Sequence, residues 1–311
     1  MAEQLQNVRE RNDENINRLV SRSAKKHFNA TSDINWNSEE MKIHADDPRF
    51  DLLNVKNDSF AQTEWYQGLP QKDRIKIGKL ALGSHVKNAI QFEHAAQIGI
   101  LKVMDKLPKD SSEYKYLVHE MAEEAQHTLM FEMFLSRLGV KVHGAGPLVK
   151  LAMNLVGHLA NFFPEVFFFW AFVLEDSGDH YYKACAKDTE GLHPLFKKIS
   201  SIHVIEEARH ISFAKTYLKK LLPTSPLHRR IALSIMAPLI VKSIDMVIRE
   251  VPAEIQEHFY VPKSVKDDIR THSFTHRKRD IALRESIKFS RESKIINERS
   301  RWLWQSLKLI S

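Results

Sequence analysis

The stretch HVIEEARH, residues 203–210, places three metal-binding side chains on one side of a predicted helix. A helix turns about 100° per residue, so Glu207 and His210, four and seven residues after His203, return to within about 40° of its direction. The stretch therefore predicts a helix that presents two imidazoles and one carboxylate to a single point in the interior of the protein.

A second predicted helix repeats the Glu-x-x-His pattern in EMAEEAQHTLMF, where Glu124 precedes His127 by three residues. Paired Glu-x-x-His motifs, with one more glutamate from each of two further helices, define the di-iron and di-manganese sites of four-helix carboxylate bundles. Glu93 in NAIQFEHAAQIGIL and Glu175, directly after the apolar run VFFFWAFVL, provide these carboxylates. A buried carboxylate is costly unless it is paired or bound to metal, so the four segments together predict a dinuclear site.

Each motif alone has an ordinary explanation. A single Glu-x-x-His occurs often by chance, and either extra glutamate taken alone could form a surface ion pair. We expect Glu120, Glu123 and Glu206 to face away from the metals, either behind the ligands or toward solvent. His94 points about 100° away from Glu93 and is interpreted as a non-ligand.

The pattern of helix signals predicts an all-α fold, a ferritin-like four-helix bundle with additional helices and an N-terminal arm. Ser111 or Ser112 is a candidate N-cap, Gly139 a C-cap and Pro147 a helix start. Residues 1–70 are interpreted as the N-terminal extension, with one early helix, residues 71–290 as the di-metal bundle domain and residues 291–311 as a basic C-terminal tail. The predicted core helices lie near 72–106, 112–138, 146–186, 195–221, 227–250 and 262–290.

Composition excludes several classes of protein. A lone cysteine, Cys185, excludes an internal disulfide and a thiolate metal cluster, and with a charged N-terminus it favours a cytoplasmic location. The apolar run Val166–Leu174 is too short to span a bilayer, which needs about 20 residues, so no transmembrane segment is expected. The net charge of +7, concentrated in the last fifty residues, favours a solvated basic surface over specific nucleic-acid binding.

The order of these motifs resembles that of the p-aminobenzoate N-oxygenases (AurF-like), non-haem di-iron oxygenases of the ferritin-like superfamily. The resemblance includes the third histidine, His203, the spacing of 31 residues from Glu93 to Glu124, and the segment KDTEGLHP before the last motif. It covers roughly residues 75–220. A histidine at the edge of the site, with no metal bound, is the alternative interpretation of His203.

The resemblance implies two iron ions, with O2 as co-substrate and a peroxo-diferric intermediate that oxidises an arylamine. Manganese is possible, because it accepts the same ligands. No catalytic residue beyond the metal ligands is predicted, and no site for another cofactor. By position, seven residues would be the ligands: Glu93, Glu124, His127, Glu175, His203, Glu207 and His210.

The resemblance does not extend to the substrate. Near the first and third glutamates, where relatives that take a small aminobenzoate carry polar groups, this chain has His85, Asn88 and Asp179, and no arginine suited to bind a carboxylate is evident. The phenylalanine-rich run that precedes Glu175 could line an apolar pocket, but we favour its interpretation as a core stripe, which needs no such role.

The sequence thus predicts an O2-activating di-iron oxygenase that acts on an amine or a related small organic substrate. It would need an external electron donor, and a homodimer is compatible with the sequence. The alternative is a ferritin-like iron-binding or ferroxidase protein without organic substrate, and a third possibility is a scaffold protein that lost its activity. A radical-generating reductase subunit is disfavoured, because the nearest tyrosines are Tyr181 and Tyr182 and neither has an evident place beside the ligands.

Overall fold

The structure, a computed structural model, describes residues 2–55, 58–187 and 191–311, and their side chains from residue 10 onward. These residues form helices and short 3-10 turns and no strand, which confirms the all-α, ferritin-like prediction. The helices are α1 Ala2–Lys25, α2 Glu64–Gln67, α3 Gln71–Met104, α4 Ser112–Leu138, α5 Pro147–His158, α6 Pro164–Lys187, α7 Pro194–Leu221, α8 Leu227–Arg249, α9 Ala253–His258, α10 Lys263–Thr271, α11 Ser273–Glu292 and α12 Arg301–Ser306.

Local sequence fixes the ends of the bundle helices as predicted. The Ser111 side chain accepts a hydrogen bond from the Tyr114 backbone N–H and so caps α4. At the other end of α4, Gly139 adopts the left-handed conformation that lets the chain leave the helix. Pro147 begins α5, where its missing N–H has no helical partner to lose.

Two predicted helices are each divided in the structure. The helix expected over 146–186 breaks at residues 159–163, because Pro164 cannot donate a backbone hydrogen bond and therefore starts a new helix, α6. The helix expected over 262–290 breaks at His272, whose backbone is extended and whose side chain accepts from the Phe274 N–H. These two predictions of continuous helices were wrong.

Helices α3, α4, α6 and α7 form the bundle that surrounds the site. The phenylalanines of α6 are buried in the main hydrophobic core, so the interpretation of this run as a core stripe is confirmed. Gly99 of α3 permits their close approach, since a Cβ placed there would lie 2.1 Å from the Phe167 ring. Helix α5 packs on α3, α8 packs on α6, and α11 packs on both α6 and α8.

The segments outside the bundle pack tightly on it. Helix α1 lies against α4 and α7, and the following arm crosses α3, where the Phe50 carbonyl oxygen would be 1.7 Å from a Cβ at Gly78. The predicted tail forms α12 and buries Trp304 and Leu309 in the main core. The division into arm, bundle domain and tail stays a prediction.

One stretch, Leu227–His258, is long and apolar enough to cross a membrane by length and composition alone. This stretch, rather than the α6 run, meets that criterion. Only 33% of its most apolar 18 residues is buried inside the protein. Its helix α8 packs on α6, α11 and α12, and a single stretch of this kind is weak evidence for a membrane span.

Candidate dinuclear metal centre

The four bundle helices bring all seven predicted ligand side chains to one buried region. Each of the seven residues is at most 5% exposed to solvent. Glu93 comes from α3, and Glu175 comes from α6. Glu124 and His127 come from α4, while α7 provides His203, Glu207 and His210.

Six of the seven side chains form two overlapping groups whose ligand atoms lie within 4.8 Å of one another. Glu93, His127, His203 and Glu207 form the first group, which we call site A; Glu124, Glu207 and His210 form the second, site B. Glu175 belongs to neither group, although its carboxyl group is close enough to feel the charges of Glu207 and Glu124. The role of all seven as metal ligands stays a prediction.

Glu207 and Glu124 lie between the two groups, in positions suited to bridge two ions. The Glu207 Oε1 atom is 3.3 Å from both His127 Nδ1 and His203 Nε2, and 3.5 Å from His210 Nδ1. The two oxygens of Glu124 divide between the sites, with Oε2 3.2 Å from His127 Nδ1 and Oε1 3.0 Å from His210 Nδ1.

A second layer of carboxylates orients two of the histidines. The Nε2 atom of His127 lies 2.9 Å from Glu206 Oε2, and the Nε2 atom of His210 lies 2.9 Å from Glu123 Oε2. Such hydrogen bonds hold the proton on Nε2 and leave Nδ1 to face a metal. Glu123 and Glu206 therefore stand behind the ligands, the first of the two positions expected for them, and Glu120 is buried as well.

Arg209 links the two outer carboxylates. Its Nη2 atom is 2.7 Å from Glu123 Oε1 and 3.6 Å from Glu206 Oε1. The Phe28 backbone N–H also donates to Glu206 Oε1, at 3.1 Å. The arm after α1 thus helps to position a group that holds a predicted ligand, a contact that spacing within the motifs does not reveal.

Electrostatics show an excess of acid in this buried space. Burial and the nearby charges of Glu124 and Glu207 raise the pKa of Glu93 well above its usual value, and burial likewise raises the pKa of Glu175 and of Glu207. Burial alone would lower the pKa of His127, but hydrogen bonds with Glu124 and other carboxylates outweigh it and raise that pKa to about 10. Without metal, protons therefore offset the negative charge of these carboxylates. Two divalent cations would balance the same charge.

The residues present fit a pair of metal ions. Among the described residues, neither oxygen of Glu207 makes a hydrogen bond, and the same holds for one oxygen each of Glu93, Glu124 and Glu175. His210 Nδ1 makes none either, since its approaches of 3.0 Å to Glu124 and 3.5 Å to Glu207 lack hydrogen-bond geometry. Buried polar atoms are rarely left unpaired, so this cluster of unpaired oxygen and nitrogen atoms is suited to bind cations. Carboxylate oxygens and imidazole nitrogens are the ligand types that iron and manganese accept.

A cluster of polar groups lies beside His203. The Tyr182 ring is 4.2 Å from the His203 ring, and the His85 ring is 4.1 Å from that of Tyr181. Within the described residues, His85 Nε2 and the Tyr182 hydroxyl are buried without a hydrogen-bond partner. The Asn88 side chain faces the Gly144 turn instead, since its Oδ1 atom would lie 3.0 Å from a Cβ at Gly144. Burial lowers the pKa of His85 to about 4, so its imidazole is neutral at pH 7.

Sequence reasoning missed Tyr116, which lies on the side of the site opposite to the His203 cluster. Burial raises the pKa of this phenol well above its usual value, and the charge of His210 is the next largest influence, which places Tyr116 close to site B. Tyr116 precedes His127 by eleven residues, about three helical turns, and therefore lies on the same face of α4. That offset was the available signal. His94, in contrast, is exposed, in agreement with its interpretation as a non-ligand.

A helical bundle with a buried pair of carboxylate–histidine groups defines the class of ferritin-like di-metal proteins. Comparison with known proteins identifies the family within this class: the model of the "P-aminobenzoate N-oxygenase AurF" family matches residues 9–293. The chain belongs to that family.

Related chains occur in mycobacteria. The chain is 34% identical over 251 residues to "Uncharacterized protein Mb0909" of Mycobacterium bovis and to "Uncharacterized protein Rv0885" of Mycobacterium tuberculosis, over 81% of this chain and 73% of each relative. "Uncharacterized protein MT0908" of Mycobacterium tuberculosis is 33% identical over the same shares. No solved structure matches the chain with significance.

Proposed function

We propose that the protein is an O2-activating di-iron oxygenase that oxidises an amine or a related small organic substrate. The observation that carries the proposal is the position of Glu207, whose one oxygen lies 3.3–3.5 Å from the nitrogens of three buried imidazoles. Glu207 belongs to both ligand groups, an arrangement suited to two ions that share a carboxylate. Membership in the AurF family supports this assignment of chemistry.

The residues of the chain would hold the ions and prepare the space around them. Site A would bind one iron through two imidazoles, and site B would bind the second through one. Two irons bound there would supply two of the electrons that O2 activation requires. Glu123, Glu206 and Arg209 would keep His127 and His210 in a fixed orientation while the metal charges change.

The His203 cluster supports an organic substrate at site A rather than an iron store. Its unpaired groups are the His85 imidazole and the Tyr182 hydroxyl, which are neutral and can donate or accept hydrogen bonds. Unpaired polar groups in a buried pocket select a ligand that completes their hydrogen bonds. We therefore propose a substrate with a polar, uncharged group, such as an arylamine without a carboxylate.

The first experiment loads the purified protein with ferrous iron under anaerobic conditions and counts the bound metal. We expect about two irons per chain, and we expect the Glu124→Ala and His210→Ala variants to bind fewer. Glu132→Ala is the matched control, because Glu132 lies on α4 but faces solvent, paired with Lys87. Loading with Mn(II) in parallel compares the two metals. Absence of tightly bound metal in the unmodified protein would contradict the proposal.

The second experiment mixes the reduced, iron-loaded protein with O2 and a panel of arylamines, and detects added oxygen by mass spectrometry. Products that depend on His203 and on Tyr182, and that form faster from anilines than from aminobenzoates, are expected. Rapid iron oxidation with accumulation of a mineral core and no organic product would favour the ferroxidase alternative instead.

A further inference from the structure

A large groove opens on the surface at the end of the bundle nearest site B. Its volume is about 1330 Å³, and its walls come from α1, the end of α7, the start of α8 and the C-terminal segment 292–303. None of the seven predicted ligands lines this groove, so it is separate from the site described above.

The rim of the groove is strongly basic. Five exposed cationic side chains line it, and within the described residues none of them forms an ion pair: Arg11, Lys219, Arg230, Lys294 and Arg299. Two exposed glutamates are the acidic members of the lining. Unpaired cations around a concavity focus the field and attract an acidic partner.

The floor of the groove is apolar and partly open to solvent. Ile231 and Ile235 of α8 are 44% and 51% exposed, and Trp302 of α12 is 65% exposed. Exposed aliphatic and tryptophan side chains surrounded by polar residues are typical of protein–protein docking sites, where tryptophan often provides much of the binding energy. The phosphate backbone of a nucleic acid would gain no favourable contact with these apolar side chains, and a flat lipid surface would not enter a concave groove.

A short stretch of α7 connects the groove to the metal centre. Thr216 lines the groove and follows His210 by six residues, a rise of about 9 Å along the helix. Aromatic rings fill the intervening space, since Phe213 stacks on Tyr217 with ring centroids 5.5 Å apart and on Tyr116 with centroids 4.2 Å apart. The groove therefore brings a docked protein close enough to site B for electron transfer through packed protein.

We propose that this groove docks an acidic electron-carrier protein that reduces the metal pair. The inference rests on the proposed function, which consumes electrons at the irons. In each encounter the reduced carrier gives one electron, the carrier is oxidised by one electron and one Fe(III) becomes Fe(II). No covalent bond changes, and two encounters restore both ferrous ions.

The test uses two acidic carriers as probes, a plant-type [2Fe–2S] ferredoxin and a flavodoxin. Binding to the full chain is measured by calorimetry at low and at high salt, and reduction of the iron-loaded protein by stopped-flow spectroscopy. The test variant is the double change Lys219→Glu and Arg230→Glu. The control variant changes Lys72 and Lys141 to Glu, since both are exposed, line no part of the groove and give the same change in net charge.

We expect at least one carrier to bind with an affinity that falls as salt rises, because rim charges act mainly through screened, long-range attraction. The groove variant should bind that carrier at least tenfold more weakly and be reduced by it at least tenfold more slowly. In the control variant, the affinity and the reduction rate should each change less than threefold. Failure of both carriers to bind at low salt, or equal losses in the two variants, would overturn the proposal.

Two further measurements separate this inference from the proposed function. Dithionite, a small reductant that needs no docking, should reduce the unmodified protein and both variants at the same rate. If no iron were bound, the proposed function would fail, yet calorimetry on the metal-free chain would still decide whether the groove binds an acidic carrier.

Discussion

Glu123→Gln is the substitution that separates the outer carboxylates from the ligands themselves. Glu123 accepts a hydrogen bond from His210 Nε2 at 2.9 Å and one from Arg209 Nη2 at 2.7 Å. Glutamine keeps the size of the side chain but loses its charge. Its NH₂ group would face the N–H of either His210 or Arg209, so one of the two hydrogen bonds is lost. The His210 ring would lose the partner that fixes its orientation and raises its basicity as a ligand.

The expected loss is confined to one of the two ions. Removal of an outer-shell partner lowers metal affinity by about 10- to 100-fold, which corresponds to about 1.4–2.7 kcal/mol. His210 belongs to site B alone, so the ion at site A should keep its affinity. Anaerobic titration with Fe(II) should therefore change from two tight equivalents to one tight and one weakened equivalent.

The matched control is Glu132→Gln, the same change on the same helix at an exposed residue that is paired with Lys87. Surface ion pairs contribute little, so this variant should bind both ions as the unmodified protein does. Thermal unfolding of the metal-free variants checks that the fold is kept. Two unchanged tight equivalents in Glu123→Gln, or an equal loss in the control, would refute the reasoning.

Three further substitutions test the fold. Gly78→Ala should destabilise the protein by about 1–3 kcal/mol and speed proteolysis of the arm, because the new Cβ would overlap the Phe50 carbonyl; unchanged proteolysis would contradict this close approach. Burial would raise the pKa of Asp245, but hydrogen bonds led by that from Arg249 lower it to about 2. The contribution of Asp245 to folding stability is therefore present above about pH 4 and is lost as the pH falls toward 2. Asp245→Asn should therefore flatten the acid limb of the melting-temperature profile, and an identical profile would exclude this role. Trp304→Ala should cost about 3–5 kcal/mol in urea unfolding, and a cost below about 1 kcal/mol would show that the C-terminal segment adds little to the core.

The convergence of the candidate ligand side chains was more predictable than the packing of the segments around them. The ligand positions follow from helical periodicity, because Glu124 and His127, like Glu207 and His210, must share a face wherever the helix packs. Burial of Glu93 could be expected from the apolar residues around it. In each case the local sequence carries the decisive information.

The outer layer depends on contacts between segments that are distant in sequence. Glu206 faces a ligand on another helix and accepts the backbone N–H of Phe28, 178 residues earlier in the chain. Its neighbour Glu207, rotated by about 100° around the helix axis, faces the candidate metal positions instead. No spacing rule distinguishes these adjacent glutamates before the relative positions of α4 and α7 are known.

The helix boundaries that were wrong show a similar limit. Pro164 gave a local signal for the break before α6, but the continuous apolar pattern was given more weight. The apolar stretch of α8 and the burial of Trp304 depend on how the C-terminal segments pack on α6 and on one another. Composition identified the last fifty residues as basic, and their exposed charged side chains are mainly basic, but Trp304 within them is buried in the core.

Glu207 and Glu124 are placed to hold two metal ions side by side in the bundle. Anomalous diffraction at the iron edge, from crystals of the iron-loaded protein, would locate these ions. We expect two peaks, one at site A and one at site B, with the carboxylate of Glu207 between them. A single peak, or iron bound away from these carboxylates, would exclude this arrangement.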